Sequence, residues 1–221
     1  MRGSGGGPAE DGPGATPVTV RLGTSRDASS AAALHARLIA EGFLSSLGSR
    51  FLRRLYARIT RSSGSFLLIA EAQGSAVGFV AGSADVGGLY RSFLLRDGVA
   101  ASLSAPLRLV TALPRVFETL RHGRHDDRTG SGELLAVAVD PNWRGRHVGH
   151  DLVERFLGQL EQRGVRAAHV VVGAHNAAAI AMYARAGFSV AHTFEMHRGT
   201  PSVLMETVVP SNAVPDARPG S

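Results

Sequence analysis

One stretch, residues 133–150, constrains the fold more than any other part of the chain. Its apolar run over residues 134–139 has the length and composition of a buried strand. Pro141 has no N–H to give a β-ladder, so the strand must stop before it. Apolar residues then recur at helical spacing from Val148 onward, and Gly164 is placed to end that helix. The sequence therefore predicts a strand, a short basic turn and a helix.

This order of elements favours the binding of an anion. A strand that leads into a helix directs free backbone N–H groups and the positive end of the helix dipole at one point. Gly145 and Gly149 let a ligand approach the backbone closely, and Arg144 and Arg146 add positive charge. The turn lacks the Gly-Lys-Ser/Thr of a P-loop and the G-x-G-x-x-G of a Rossmann fold. Taken alone, it is compatible with a phosphate site and equally with a solvated basic turn.

Two segments carry a resemblance to a known family. The residues from Arg144 to Gly149 read RGRHVG and follow a strand that ends in Val-Asp-Pro. They resemble the pyrophosphate-binding signature of the GNAT acyltransferase superfamily, Arg/Gln-x-x-Gly-x-Gly/Ala, with His147 in place of the middle glycine. The residues from Asn176 to Phe188 resemble the family's Asn-x-x-Ala-x-x-x-Tyr-x-x-x-Gly-Phe segment. The resemblance covers residues 133–188 by motif and about 18–209 by general layout.

The resemblance implies an acetyl-CoA-dependent N-acetyltransferase that acts directly on an amine of a small molecule or a protein, without a metal. In that family the motif strand and its successor separate, and acetyl-CoA enters the gap between them. A backbone N–H of Val137 or Val139, at a bulge, would then stabilise the oxyanion. The implied cofactor-binding residues are Val137, Val139, Arg144, Gly145, Arg146, His147, Val148, Gly149, His150, Asn176 and Ala179.

Proton transfer requires two further groups. Tyr183 is suited to protonate the leaving thiolate, because its helix should run beside the motif helix; the alternative is an aromatic core residue at helical spacing. Glu133, at the start of the motif strand, is the first candidate for the base that deprotonates the amine. Glu41 is the second candidate, and each of these two glutamates fits a surface carboxylate equally well. Residues 170–172 are all valine, so the glutamate that some family members carry in this strand is missing.

Composition limits the alternatives. The chain of 221 residues has no cysteine, which excludes disulfides and thiolate chemistry. All 24 basic residues are arginine, and the net charge of +6 suits a polyanionic ligand. We find no nucleic-acid-binding motif, no transmembrane-length apolar run and no secretory leader. We therefore expect a cytoplasmic protein with no nucleic-acid or membrane partner. The remaining alternative is a non-catalytic module that binds acyl-CoA, because His147 and the missing glutamate depart from the family.

The predicted order is β-α-α-β-β-insertion-β-α-β-α-β-β. It indicates an α+β fold, a GNAT-like mixed and mostly antiparallel sheet flanked by helices. We expect one domain over residues 18–209 between disordered tails, 1–17 and 210–221. Within it we predict a helix capped by Asp27 and a second helix at residues 47–59. The predicted strands are at residues 18–22, 66–72, 76–81, 167–173, 188–194 and 203–209. Residues 73–75 and 197–201 are predicted to be connecting loops.

The segment 85–132 is a predicted helical insertion before the motif strand. Apolar residues repeat at three and four from Leu103 to Leu120, which predicts an amphipathic helix, and a shorter helix is expected near residues 89–95. Its apolar face must cover the domain itself, the acceptor cleft, or a second subunit in a homodimer. His122 and His125 near its end belong to a charged segment, which predicts a solvated loop rather than a metal site.

Overall fold

The computed structural model describes residues 16–39, 44, 48–89, 91–93, 130–196 and 200–210. The predicted tails lie almost entirely outside these ranges. So do the predicted amphipathic helix between Leu103 and Leu120, the His122–His125 segment and Glu41. Of the predicted short helix, residues 89 and 91–93 are helical, as are residues 86–88 just before it.

Apart from the helical residues near 89, the described residues form seven strands and four α-helices in the predicted order. The strands are β1 (Thr19–Leu22), β2 (Ser65–Ala72), β3 (Ser75–Ser83), β4 (Ser131–Val139), β5 (Ala167–Gly173), β6 (Ser189–Met196) and β7 (Thr200–Val208). The helices are α1 (Ala28–Leu38), α2 (Gly48–Ile59), α3 (Val148–Glu161) and α4 (Ala177–Arg185). None of these helices combines the length and apolar composition that a bilayer crossing needs.

The strands of the described chain form one sheet in the order β1-β2-β3-β4-β5-β7-β6. Only the β4–β5 pair is parallel, and every other neighbouring pair is antiparallel. The prediction of a mixed, mostly antiparallel sheet flanked by helices is therefore confirmed. The last strand, β7, lies inside the sheet between β5 and β6, so β6 forms the outer edge.

Helices cover both faces of the sheet. Leu67 and Ile69 of β2 pack with α1 and α2, whereas Leu68 and Ala70 pack with α3 and the residues around it. Burial on both faces explains why β2 is apolar at nearly every position and does not alternate. On the α1–α2 side, His35 is buried and its Nδ1 lies 2.6 Å from the Tyr56 hydroxyl oxygen. His35 is thus a packed core residue.

Three local predictions differ from the structure. The β2–β3 turn has two residues, Gln73 and Gly74, both with positive φ (51° and 72°), as in the tight hairpin turns that match strand twist. β7 begins at Thr200, so the predicted loop 197–201 is shorter by two residues. β4 begins at Ser131, so the last two residues of the predicted insertion, 131 and 132, belong to this strand.

Asp27 precedes α1 but makes no side-chain capping hydrogen bond to it, contrary to the prediction. Its carboxylate instead accepts hydrogen bonds from the Thr24 backbone N–H (2.7 Å) and from the Arg21 guanidinium (2.8 Å). The Arg21 guanidinium, the largest contributor, holds the pKa of Asp27 well below its usual range. These contacts fasten β1 to the start of α1, which is why the carboxylate turns away from the helix.

Candidate active site

The sheet opens between β4 and β5. The two strands pair from Ser131 with Ala167 up to Leu134 with Val170. Beyond that point β4 continues to Val139 and β5 to Gly173 without pairing to each other. Two parallel strands that separate in this way leave a wedge-shaped gap, which widens toward their carboxyl ends. This gap agrees with the separation that the family resemblance implied.

The backbone of β4 presents N–H groups to this gap. The Asp140 N–H donates to the Val77 carbonyl oxygen of the β3 side at 2.8 Å. Because successive N–H groups of a strand point to opposite sides, those of Val137 and Val139 face away from β3 and toward the gap. The carbonyl oxygen of Val139 accepts a hydrogen bond from Arg144 Nε at 3.3 Å. The two predicted oxyanion donors are thus directed at the space between the strands.

The β4 bulge lies earlier than predicted. Ala136 pairs with Ala81 and Leu134 with Gly82, so the extra residue is Leu135 rather than Val137 or Val139. The bulge faces Gly82 of β3. A Cβ on Gly82 would lie 2.6 Å from Phe156 and 2.7 Å from Phe66, so these two rings fill the space beside Gly82, and the bulge lies opposite a residue without a side chain.

The basic turn stands at the wide end of the gap. A 3₁₀-helix, Pro141–Trp143, follows β4, and the Asp140 carboxylate that caps it also pairs with Arg37 of α1. The next four residues, Arg144, Gly145, Arg146 and His147, are exposed. The Arg146 guanidinium lies over the Trp143 ring, 5.0 Å from its centroid. The turn therefore displays positive charge immediately before the first turn of α3.

His147 adopts the backbone conformation of a glycine. Its φ of 61° and ψ of 0° are left-handed, and Gly145 two residues earlier has a φ of 74°. An L-residue in this region costs about 1 kcal/mol, which a glycine does not incur. The histidine at this position of the motif thus adopts a conformation that a glycine would take without strain.

Three predicted cofactor contacts, Gly149, Val148 and His150, also make contacts within the protein itself. A Cβ on Gly149 would lie 2.8 Å from Met182 Sδ, so this glycine lets α3 pack against α4. Val148 is buried and can offer a ligand only its backbone. The His150 imidazole lies beside Glu154 of its own helix, with Nε2 3.2 Å from the carboxylate, and its Nδ1 is buried without a partner among the described residues.

Helix α4, which carries Tyr183, lies between Asn176 and Gly187. Asn176 caps it, with Oδ1 accepting the Ala179 N–H at 3.1 Å, and Gly187 follows it with a φ of 89°. Tyr183 is 4% exposed, and burial raises the pKa of its phenol above the usual value. The hydroxyl has no hydrogen-bond partner in the described part of the chain. Tyr183 is therefore protonated at neutral pH, the state that a proton donor requires.

Glu133 contacts a residue that sequence analysis did not select. Its Oε2 lies 3.4 Å from Nε2 of His169 on β5, and Ser131 Oγ lies 2.9 Å from His169 Nδ1. His169 is 5% exposed. The signal in the sequence was a histidine within the apolar strand AAHVVVG, where its neighbours cannot satisfy a ring nitrogen. No group of residues in the described ranges is arranged to hold a metal ion.

Comparison with known sequences locates the similarity. A profile of the acetyltransferase (GNAT) family matches residues 35–188. The ribosomal protein bS18-alanine N-acetyltransferase of Escherichia coli K12 is 43% identical over 58 residues, 26% of this chain and 39% of that protein. Mycothiol acetyltransferase of Mycobacteroides abscessus is 41% identical over 70 residues, 32% of this chain and 24% of that protein. The matches span less than half the length of these relatives.

Solved structures share the fold over most of the chain. The ribosomal-protein-S18-alanine N-acetyltransferase of Escherichia coli aligns with a TM-score of 0.57 at 18% identity, covering 90% of this chain and 98% of that one. A Salmonella typhimurium protein determined with acetyl-CoA aligns with a TM-score of 0.59 at 16% identity, covering 90% and 98%. At these identities the likeness establishes the architecture of the sheet and its helices.

Proposed function

The chain belongs to the acetyltransferase (GNAT) family, and from that membership we propose that it transfers the acetyl group of acetyl-CoA directly to an amine. One observation carries the proposal: the gap between β4 and β5 has the Val137 and Val139 N–H groups along one side and the exposed basic turn at its wide end. A thioester fits beside the N–H groups, and a pyrophosphate fits the start of α3.

The residues of the turn suit the anionic part of CoA. The N–H groups of residues 146–150 belong to the turn and the first turn of α3, where the helix itself offers them no acceptor. Arg144 and Arg146 supply exposed guanidinium groups that can bind phosphate oxygens. Gly145 leaves open space, because a Cβ there would meet nothing within 4 Å. When bound, acetyl-CoA supplies an activated acyl group.

The chemistry assigned to the protein is positioning and proton transfer. The N–H of Val137 or Val139 stabilises the oxyanion that forms when the amine attacks the carbonyl carbon. Tyr183 gives its hydroxyl proton to the departing thiolate, whose parent thiol has a pKa of about 8.5 in model compounds. Glu133 is the candidate that removes a proton from the acceptor ammonium.

An amine panel tests the proposed activity. The names of the relatives give a ribosomal-protein alanine and mycothiol as acceptors. The panel should therefore include peptides with a free amino-terminal alanine, peptides with a lysine side chain and small primary amines. Thiol release from acetyl-CoA that requires one of these amines, with the acetylated amine found by mass spectrometry, supports the proposal.

Other outcomes are distinguishable. Tight CoA binding without transfer to any amine would favour the non-catalytic acyl-CoA-binding module instead. Salt-sensitive binding of an oligonucleotide would favour a nucleic-acid partner. The cytoplasmic location and the homodimer through residues 85–132 stay predictions, which cell fractionation and light scattering test.

A further inference from the structure

One part of the sheet has a described helix layer on a single face. On the α1–α2 side, α1 packs on β3 and β4, and α2 packs on β2 and β3. The apolar cluster that these two helices form with the sheet contains no described residue of β5, β6 or β7. On the other side, α3 and α4 pack over β5 and β7. The α1–α2 side of β5, β7 and β6 therefore has no cover among the described helices.

Four apolar side chains lie on that side. Alternate residues of β5 and β7 pack with α3, so Val171, Leu204 and Val208, which lie between them, point to the opposite face. Phe194 of β6 is the register partner of Ser202 and points the same way. We call Val171, Phe194, Leu204 and Val208 the open face. None of the four belongs to either apolar cluster of the described residues.

The open face is nevertheless largely removed from water. Leu204 is 5% exposed. Val171, its register partner on β5, and Phe194 are half-buried. Val208, at the end of β7, is 79% exposed. A leucine with so little exposure packs against apolar neighbours, and the two described clusters do not provide them.

Residues 94–129 connect two points that border this surface. Phe93 packs edge to face on Phe51 of α2, with ring centroids 5.2 Å apart, so the chain leaves the described structure on the α1–α2 side. It returns at Ser131, which pairs with Ala167 at the start of β5. The segment thus starts on the face in question and ends beside the first strand of the open face.

The predicted amphipathic helix has the dimensions of this surface. From Leu103 to Leu120 it comprises 18 residues, about 27 Å of helix. The three strands have seven to nine residues each, about 23–30 Å. Nine residues on either side of the helix reach up to about 30 Å, and β4 and β6 are only about 14 Å apart across the sheet. The connections therefore allow the helix to lie along these strands.

We propose that the segment from Leu103 to Leu120 packs its apolar stripe on the open face of its own chain, along β5, β7 and β6. The inference concerns the architecture around the site and does not depend on acetyl transfer. The tether favours this occupant over a second copy, because a short linker keeps a segment at an effective concentration of about 1 mM at any protein concentration. Apolar side chains of both surfaces leave water in this contact.

Cross-linking tests the contact directly, because the chain has no cysteine of its own. One cysteine is introduced by Phe194→Cys on the edge strand β6. In separate variants a second cysteine replaces one residue of the apolar stripe: Leu107, Val110, Leu113 or Phe117. A short bis-maleimide should join the two thiols within one molecule for at least one of these positions, and mass spectrometry of a digest identifies the linked peptides.

The polar side of the same predicted helix supplies the matched control. Arg108→Cys and Arg115→Cys, each combined with Phe194→Cys, should give about tenfold less product, because these positions point away from the stripe. Links that join only two copies would assign the open face to a second molecule instead. Equal yields at stripe and polar positions, or no link at any position, would show that the segment does not pack there.

Hydrogen exchange of the full chain gives an independent readout. Phe194→Ser should speed the exchange of amides in residues 103–120 by about tenfold, because the segment loses an apolar contact and opens more often. Val190→Ser, on the opposite face of β6 and 57% exposed, should leave that exchange unchanged. Equal effects of the two variants would contradict the proposal. If Phe194→Cys does not fold, Val208→Cys replaces it in the cross-linking, since Val208 is exposed.

Discussion

Tyr183 and Phe188 fix each other at the end of α4. Their ring centroids lie 5.7 Å apart, and the Phe188 N–H donates to the Tyr183 carbonyl oxygen at 3.0 Å. Gly187 between them takes the left-handed conformation that this contact requires. The Tyr183 ring is thus held by packing and by the helix end, independently of its hydroxyl. Removing the hydroxyl alone therefore tests the role of Tyr183 as a proton donor without disturbing the packing of the ring.

We expect Tyr183→Phe to fold normally and to bind acetyl-CoA as wild type does. The turnover number should fall by about 10²-fold, because the variant has no proton for the thiolate. The loss should appear in both kcat and kcat/KM, since the contact exists mainly in the transition state. Steady-state kinetics and a melting curve measure this. Turnover within about twofold of wild type, with chemistry rate-limiting, would make Tyr183 a core residue only.

Tyr56→Phe is the matched control for that experiment. It also removes a buried hydroxyl, one that lies 2.6 Å from His35 Nδ1. We expect it to lose about 1 kcal/mol of unfolding free energy, the usual contribution of one hydrogen bond, while turnover stays near wild type. Equal losses of turnover in the two Phe variants would indicate that general destabilisation lowers activity.

His147→Gly should stabilise the protein. The left-handed backbone at this position strains a histidine, although glycine is also more flexible in the unfolded chain. The net gain should be about 0.5–1 kcal/mol in urea unfolding. Gly145→Ala makes the reverse change at a φ of 74° and should destabilise by a similar amount. If His147→Gly is less stable than wild type, the histidine side chain contributes a contact that outweighs the strain.

Coenzyme A should protect the protein from heat. A ligand at about a hundred times its Kd adds roughly 2.7 kcal/mol to the unfolding free energy. Arg146→Ala should weaken CoA binding by about tenfold, the loss of one charge-assisted hydrogen bond, and the wild-type affinity should decline with added salt. Arg155→Ala, an exposed change two turns into α3, is the control and should bind normally. A melting temperature that CoA does not move would contradict the phosphate site.

Acidification should destabilise the protein through His35. Burial lowers the pKa of His35 from its ordinary value of about 6.5, so the imidazole is neutral in the fold. Below that pH the unfolded chain binds a proton that the folded chain does not, and stability declines by up to about 1.4 kcal/mol per pH unit. Urea unfolding between pH 7 and pH 5 measures the slope. The slope of the unfolding free energy against pH should be shallower in His35→Gln and unchanged in His192→Gln. An unaltered slope in His35→Gln would show that other groups cause the pH dependence.

Local patterns were sufficient for much of the fold. The strand before Pro141, the helix from Val148 and its end near Gly164 depend on residues within a few positions of one another, and all are found. Asp27 shows the limit of such patterns. Its place before a helix predicts a cap, yet Arg21 competes for the carboxylate from the neighbouring strand.

Features that depend on register could not be predicted. Glu133 and His169 are neighbours only because β4 and β5 pair in parallel with one particular alignment, and a shift by one residue would turn His169 to the other face. The bulge at Leu135 depends on Gly82 of another strand, which in turn makes room for Phe156. The apolar pattern of β4 itself predicts neither its partner strand nor the alignment with that strand.

The place of β7 inside the sheet also fixes when the chain can finish folding. Among the described strands, β5 bonds on one side to β4 and on the other to β7, which comes last in sequence order. During synthesis the strands up to β3 can pair as they leave the ribosome, but β5 keeps an open edge until residues 200–208 have emerged. A nascent chain that stalls before this point exposes the Val-rich β5 to other chains. Slow or truncated translation should therefore lead to aggregation rather than to a partly active enzyme.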